Sequence, residues 1–155
     1  MSMTSNEQSV IDGFTVRRTI HINAAADKVW AALTQPEHIA QWFPERATLE
    51  PLAVGAAGVF EWSDYGAQPV VVEALDAPRS ISYRWGNATP NAATVDPEHS
   101  TVFTFTLVEV ADGTQLTVVE TGFETLADPA SSLESNRGGW NSELDELVAY
   151  LEGSA

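Results

Sequence analysis

Residues 101–121 read TVFTFTLVEVADGTQLTVVET, and their pattern decides the fold. Two runs with an apolar residue at every second position flank Asp112-Gly113, the dipeptide that supplies the positive φ of a tight hairpin turn. The runs, 101–110 and 114–121, therefore form an antiparallel pair. Toward the N-terminus, further short strands are expected at about 47–52, 58–62, 69–75 and 80–85, with residues 76–79, Asp-Ala-Pro-Arg, as a second turn. Parallel strands need a crossover of a dozen or more residues, usually a helix, and no such helical stretch separates these runs. The middle of the chain is an antiparallel meander.

On either side of the meander the period changes. Phe14, Val16, Arg18, Ile20 and Ile22 alternate as a strand that ends at Asn23. Asn23 is the expected N-cap of a helix whose apolar residues are Ala26, Val29, Trp30 and Leu33. Pro36 ends that helix and starts a shorter one over residues 37–42. At the other end, Trp140, Leu144, Leu147, Val148 and Leu151 form one helical stripe, with Glu143, Asp145, Glu146 and Glu152 on other faces. That stripe must be covered, and the only large apolar surface is the inner face of the meander, so the last helix lies across the sheet. Residues 87–100 carry no apolar period and read as a surface loop at a pocket mouth. No repeat or boundary divides the chain: residues 1–12 are expected to be a flexible tail and 13–152 one domain.

Composition excludes several functions. The 155 residues include 22 acidic and 7 basic side chains, a formal charge of −15, which repels nucleic acid over the whole surface. The ordinary reading of this charge is a solvated surface, with a basic protein partner as the remaining option. No cysteine is present, so disulfides, thiolate nucleophiles and cysteine metal sites are all absent. No stretch approaches a membrane span, and MSMTSNEQ at residues 1–8 lacks the features of a signal peptide, so a cytoplasmic protein is expected. His21, His38 and His99 are scattered, and Asp96, Glu98 and His99 do not complete a zinc pattern. No metal and no cofactor are expected. There is no Gly-x-Ser-x-Gly elbow and no Gly-x-x-x-x-Gly-Lys loop; Gly138-Gly139 is expected to let the helix start approach the sheet closely.

Several stretches resemble a known family. Within residues 14–43 these are the Val-Arg-Arg-Thr-Ile start, the run Val29-Trp30-Ala31-Ala32-Leu33-Thr34, Pro36-Glu37-His38 and Gln41-Trp42-Phe43. Residues 77–85, APRSISYRW, residues 113–123, GTQLTVVETGF, and Asn136-Arg137-Gly138-Gly139-Trp140 continue the likeness in the same order. The sequence is similar to the activator-of-heat-shock-protein-90-ATPase-like family of the START-related, or SRPBCC, superfamily. That resemblance implies an α+β helix-grip fold, in which a seven-stranded curved antiparallel sheet wraps around a long C-terminal helix opening near Asn136, with two short helices after strand 1. It also implies a cavity between helix and sheet. Unlike the eukaryotic co-chaperone, the 155 residues hold no second, client-docking domain, so ATPase activation is not expected.

The aromatic faces are the candidate ligand-binding residues. Tyr83 and Trp85 share one strand face, Phe103 and Phe105 another, and Phe60 and Trp62 a third. These faces would meet Trp140 and Leu144 from the helix, with Trp42 and Phe43 closing one end. Such residues either fill a solid core or line a cavity of roughly 300 Å³ or more. Arg18 and Glu120 fall on the apolar faces of their strands, where a lone charge costs several kcal/mol. They are expected to line the polar end of the pocket and orient a ligand, or else to pair structurally. The expected function is binding of a small hydrophobic or amphipathic ligand. One alternative is a cyclase-, hydratase- or aromatase-type enzyme using Glu120, Arg18 or Tyr83 for proton transfer; another is a protein-interaction module presenting Glu143, Asp145, Glu146 and Glu152 to a basic partner. A monomer and a homodimer are both compatible with the sequence.

Overall fold

A computed structural model describes residues 7–64, 66–86 and 94–153. In chain order it contains β1 (Val10–Asp12), β2 (Thr15–Ile22), α1 (Ala26–Thr34), α2 (Pro36–Ile39), β3 (Arg46–Leu49), β4 (Ala57–Trp62), β5 (Gly66–Asp76), β6 (Ser80–Trp85), β7 (Thr101–Val110), β8 (Gly113–Thr121), a 3-10 turn at Phe123–Thr125, and α3 (Pro129–Glu152). The strands form one antiparallel sheet in the order β1-β2-β8-β7-β6-β5-β4-β3. From β3 to β8 every strand pairs with its sequence neighbour, as expected of a meander. Helices α1 and α2 carry the chain from β2 to the opposite edge.

The β7–β8 hairpin closes with Val110 opposite Gly113. Gly113 has φ +144°, and a Cβ there would collide with the carbonyl oxygen of Ile22, so both conformation and packing require glycine. Alternation then sets the inner face. Ile81 lies opposite Phe105, Tyr83 opposite Phe103, Phe103 opposite Glu120 and Leu107 opposite Leu116. The resulting core joins these residues to Val16, Ile20 and Ile22 of β2, Val29 and Leu33 of α1, and Leu133, Trp140, Leu144 and Leu147 of α3.

Four expectations need correction. The sheet has eight strands rather than seven, because Val10–Asp12 folds back on β2 through Gly13 at φ +62°. Those residues were expected in a flexible tail. Residues 7–12 are held: the carbonyl of Glu7 accepts from Arg18 Nε at 2.8 Å, and Ser9 donates to Asn141 Oδ1 from both its backbone N (2.7 Å) and Oγ (2.9 Å). Second, the N-cap of α1 is Ala25, not Asn23, whose backbone N–H instead meets Glu152 Oε2 at 2.6 Å. Third, α2 ends at Ile39, short of Trp42. Fourth, α3 opens at Pro129 rather than near Asn136, capped by Asp128, whose side chain accepts from Ser131 N at 3.3 Å. Its 24 residues span about 36 Å, and Gly138-Gly139 falls in mid-helix. Of the expected loop at 87–100, residues 87–93 lie outside the described residues.

Candidate functional site

Helix α3 packs on β2 and β1 but stands off from β4, β5 and β6. Between them lies a cleft of about 480 Å³ lined by Phe43, Trp62, Gln68 and Trp85 and, from the helix, by Ser135, Asn136, Gly138, Gly139, Trp140, Ser142 and Glu143. Register explains the sheet side of it. Phe60 lies opposite Gln68, Trp62 opposite Gly66 and Trp85 opposite Val70, so Trp62, Gln68 and Trp85 share the inner face.

The helix side is opened by Gly138 and Gly139. A Cβ at either would meet nothing within 4 Å, so these glycines are not there for close approach, contrary to expectation. They face open space. Mid-helix glycine is unfavourable by about 1 kcal/mol against alanine. Gly139→Ala is therefore expected to raise stability by roughly 0.5–1 kcal/mol in urea unfolding, with the fold unchanged.

The twelve candidate residues divide. Phe43, Trp62, Trp85 and Trp140 line the cleft. Trp42, Phe60, Tyr83, Phe103, Phe105 and Leu144 form the packed core behind it. Phe43 is the hub, with ring centroids 5.5 Å from both Trp62 and Trp140, 5.7 Å from Trp85 and 5.6 Å from Phe60. Phe103 is 4.7 Å from Trp85 and 5.2 Å from Trp140. The six core residues pack into one buried cluster, and the cleft borders it at Phe43, Trp62, Trp85 and Trp140. Trp42 and Tyr83 also have structural polar partners: Trp42 Nε1 donates to Ala32 O at 2.8 Å and the Tyr83 hydroxyl to Leu33 O at 2.7 Å. These carbonyls end α1, where a helix lacks its own donors. Burial pushes the Tyr83 hydroxyl far above its usual range, so it stays protonated.

Arg18 and Glu120 do not meet. Arg18 turns to α3, donating to Asp145 Oδ1 (2.8 Å), Asn141 O (2.9 Å) and Trp140 O (3.3 Å), and it does not line the cleft. The expectation that it orients a ligand is corrected: helix carbonyls lie within its reach and outcompete the pocket. Glu120, fully buried, sits behind the cleft wall. Its Oε2 accepts from Trp85 Nε1 (2.9 Å) and Thr101 Oγ1 (2.6 Å); its Oε1 accepts from Trp140 Nε1 (2.8 Å) and Asn136 Nδ2 (2.9 Å). Four neutral donors thus converge on one carboxylate, which fixes Trp85, Trp140 and Asn136 in the wall. Glu120 positions the cleft without lining it.

The cleft's own polar groups escaped the sequence reading. Gln68 is 9% exposed, and its Oε1 is buried with no hydrogen-bond partner among the described residues. Glu143, expected on an outer face, lines the cleft and accepts a hydrogen bond from the Trp62 side chain. Burial, and next the neighbouring Glu146 charge, push its carboxyl up to about 7. Strand alternation could have placed Gln68 inward, because Phe60, Trp62 and Val70 mark that face. Helical spacing could not have found Glu143, since the stripe has no second edge until the sheet's reach is known. Among the described residues, no three His, Cys, Asp or Glu side chains are grouped to hold a metal ion, and no helix is long and apolar enough to cross a membrane.

An open antiparallel sheet carrying a long C-terminal helix, with an aromatic cleft between them, defines a helix-grip protein of the SRPBCC type. The chain belongs to the family described as Activator of Hsp90 ATPase homolog 1-like protein, whose model matches residues 23–152. No functionally curated protein matches the sequence. Among solved structures, MLL2253 from Mesorhizobium loti is 29% identical with a TM-score of 0.75, covering 91% of this chain and 98% of that one. DynU16, a protein of the dynemicin biosynthetic locus, is 25% identical with a TM-score of 0.74, covering 91% of this chain and 48% of that one. CalU16 from Micromonospora echinospora, 19% identical, shares the fold with a TM-score of 0.70 over 97% of this chain and 87% of that one.

Proposed function

We propose that this chain binds a small amphipathic molecule in the cleft between α3 and the inner face of β4–β6. The observation that carries the reading is an aromatic-walled space of about 480 Å³ with a buried, unpartnered Gln68 oxygen at its edge. That volume lies within the range of small-molecule sites, which are mostly apolar with a few placed polar groups. A neighbour from a biosynthetic locus supports a small molecule over a client protein.

Binding is preferred to a cyclase- or hydratase-type reaction because the three groups named for proton transfer are occupied. Glu120 is held by four donors, Tyr83 by Leu33 and Arg18 by the helix. A docking surface for a basic protein is disfavoured because the acidic residues of α3 are dispersed. Glu143 lines the cleft, Asp145 pairs with Arg18 and Glu152 bonds Asn23.

The test is native mass spectrometry of protein purified from its own host, beside Gly139→Leu. The leucine projects into the cleft where a Cβ meets nothing, so it fills the site and leaves the core intact. A stoichiometric small-molecule adduct on the unmodified protein, reduced at least tenfold in Gly139→Leu, is the expected result. An adduct equally abundant on both proteins would place the ligand elsewhere and overturn the proposal.

A further inference from the structure

We infer that the molecule held in this cleft is an amphipathic cation, an arylalkyl ammonium compound rather than a carboxylate, phosphate or sulfonate. The inference rests on the binding reading above and adds the ligand's charge. Among the described residues, Glu143 is the one ionisable side chain in the lining, which contains no Lys, Arg or His. Arg137, next to the lining on α3, is paired with Glu134.

An anion would find only neutral donors and no cationic partner. The indole N–H groups of Trp85 and Trp140 are both directed to Glu120, and Trp62 bonds Glu143. The amide of Asn136 already donates to Glu120. What remains for a ligand is neutral amide and serine groups, the faces of the aromatic rings, which attract cations, and acceptors in need of a donor. Gln68 Oε1 is such an acceptor, buried and unpartnered, and the Glu143 carboxylate is the matching counter-charge. An ammonium head with its N–H groups satisfies both, while its aryl part lies among Phe43, Trp62, Trp85 and Trp140.

Charge linkage gives this a pH signature. Glu143 titrates near 7 because burial and Glu146 disfavour its charge. The walls facing it supply Phe43, Trp62, Gln68 and Trp85, none of which titrates in that range. Glu146, beside it on α3, is its charged neighbour. A cation favours ionised Glu143, so affinity rises as pH goes from 6 to 8.

The experiment follows the tryptophan indole signals of ¹⁵N-labelled protein during titration with naphthylmethylammonium, naphthylmethanol and naphthylmethanesulfonate. The expected result is binding of the ammonium at least about tenfold tighter than the sulfonate at pH 8, weakening several-fold at pH 6. In Glu143→Gln the pH dependence should vanish and the preference should shrink. Because the protein's charge of −15 attracts any cation, Gly139→Leu serves as a control that keeps that charge. Ammonium binding that survives in Gly139→Leu overturns the inference, since it belongs to the outer surface. Sulfonate binding in the cleft as tightly as ammonium overturns the charge assignment and leaves the binding reading standing. No response of the indole signals to any of the three probes overturns both.

Discussion

Glu120→Ala loses roughly 4 kcal/mol of stability, read as a lower urea midpoint at unchanged slope. The estimate follows from what the carboxylate holds. Its removal takes the carboxylate away from four donors: the Trp140 indole N–H, the Trp85 indole N–H, which also lies 2.9 Å from Thr101 Oγ1, the Thr101 hydroxyl and the half-buried Asn136 amide. Each orphaned donor costs about 1–3 kcal/mol when it stays dry. Water entering from the nearby cleft moderates the sum, so the expected loss lies near the lower bound. It is still a large fraction of the 5–15 kcal/mol typical of a domain. Glu120→Gln keeps the volume but turns an NH₂ group toward donors, so it is expected to lose about half as much. A Glu120→Ala protein within about 1 kcal/mol of the parent would show that the four bonds are not formed in solution. A second readout is local: in Glu120→Ala the indole signals of Trp85 and Trp140 should shift, while that of Trp30, which is on α1 and makes none of these bonds, should not.

Arg18→Ala is expected to cost roughly 3 kcal/mol and to release the N-terminal strand. Arg18 is 2% exposed and joins three segments: α3 through Trp140, Asn141 and Asp145, the chain before β1 through Glu7, and its own strand β2. Its ion pair contributes little to that figure, because Asp145 is 64% exposed and water can replace the guanidinium. Most of the loss is packing and carbonyl hydrogen bonds. Arg18→Met restores the packing and should recover about half of the loss; Arg18→Lys offers no planar fork for three carbonyl oxygens and a carboxylate. Hydrogen exchange tests the local part. Protection of Val10–Asp12 should fall in Arg18→Ala by more than that of β7 and β8. Equal loss everywhere would mean that Arg18 supports the core and not the clamp on β1.

These two residues show where sequence reading stops. Alternation put Arg18 and Glu120 on inner faces of neighbouring strands, and both are buried there. Their partners on α3, which are Asn136, Trp140, Asn141 and Asp145, were out of reach, because nothing local fixes how a helix is rotated and shifted over a sheet. A guanidinium takes whichever carbonyls the helix brings within about 3 Å. Similarly, α3 was legible from Trp140 onward by its apolar stripe, while its first turns have only Leu133 buried. The signal for that start was present in Asp128-Pro129, a capping residue followed by proline at the first helical position.

What the sequence determined alone is the antiparallel meander, its inner aromatic face and the covering helix. These follow from periods of two and 3.6, which are properties of single elements. Only the tertiary structure decided that the aromatics are mostly core, that the free space lies opposite Gly138-Gly139, and that Gln68 and Glu143 are its polar edge. Such space is a difference between two surfaces, and it exists only once α3 is anchored on β1 and β2 and held away from β4–β6.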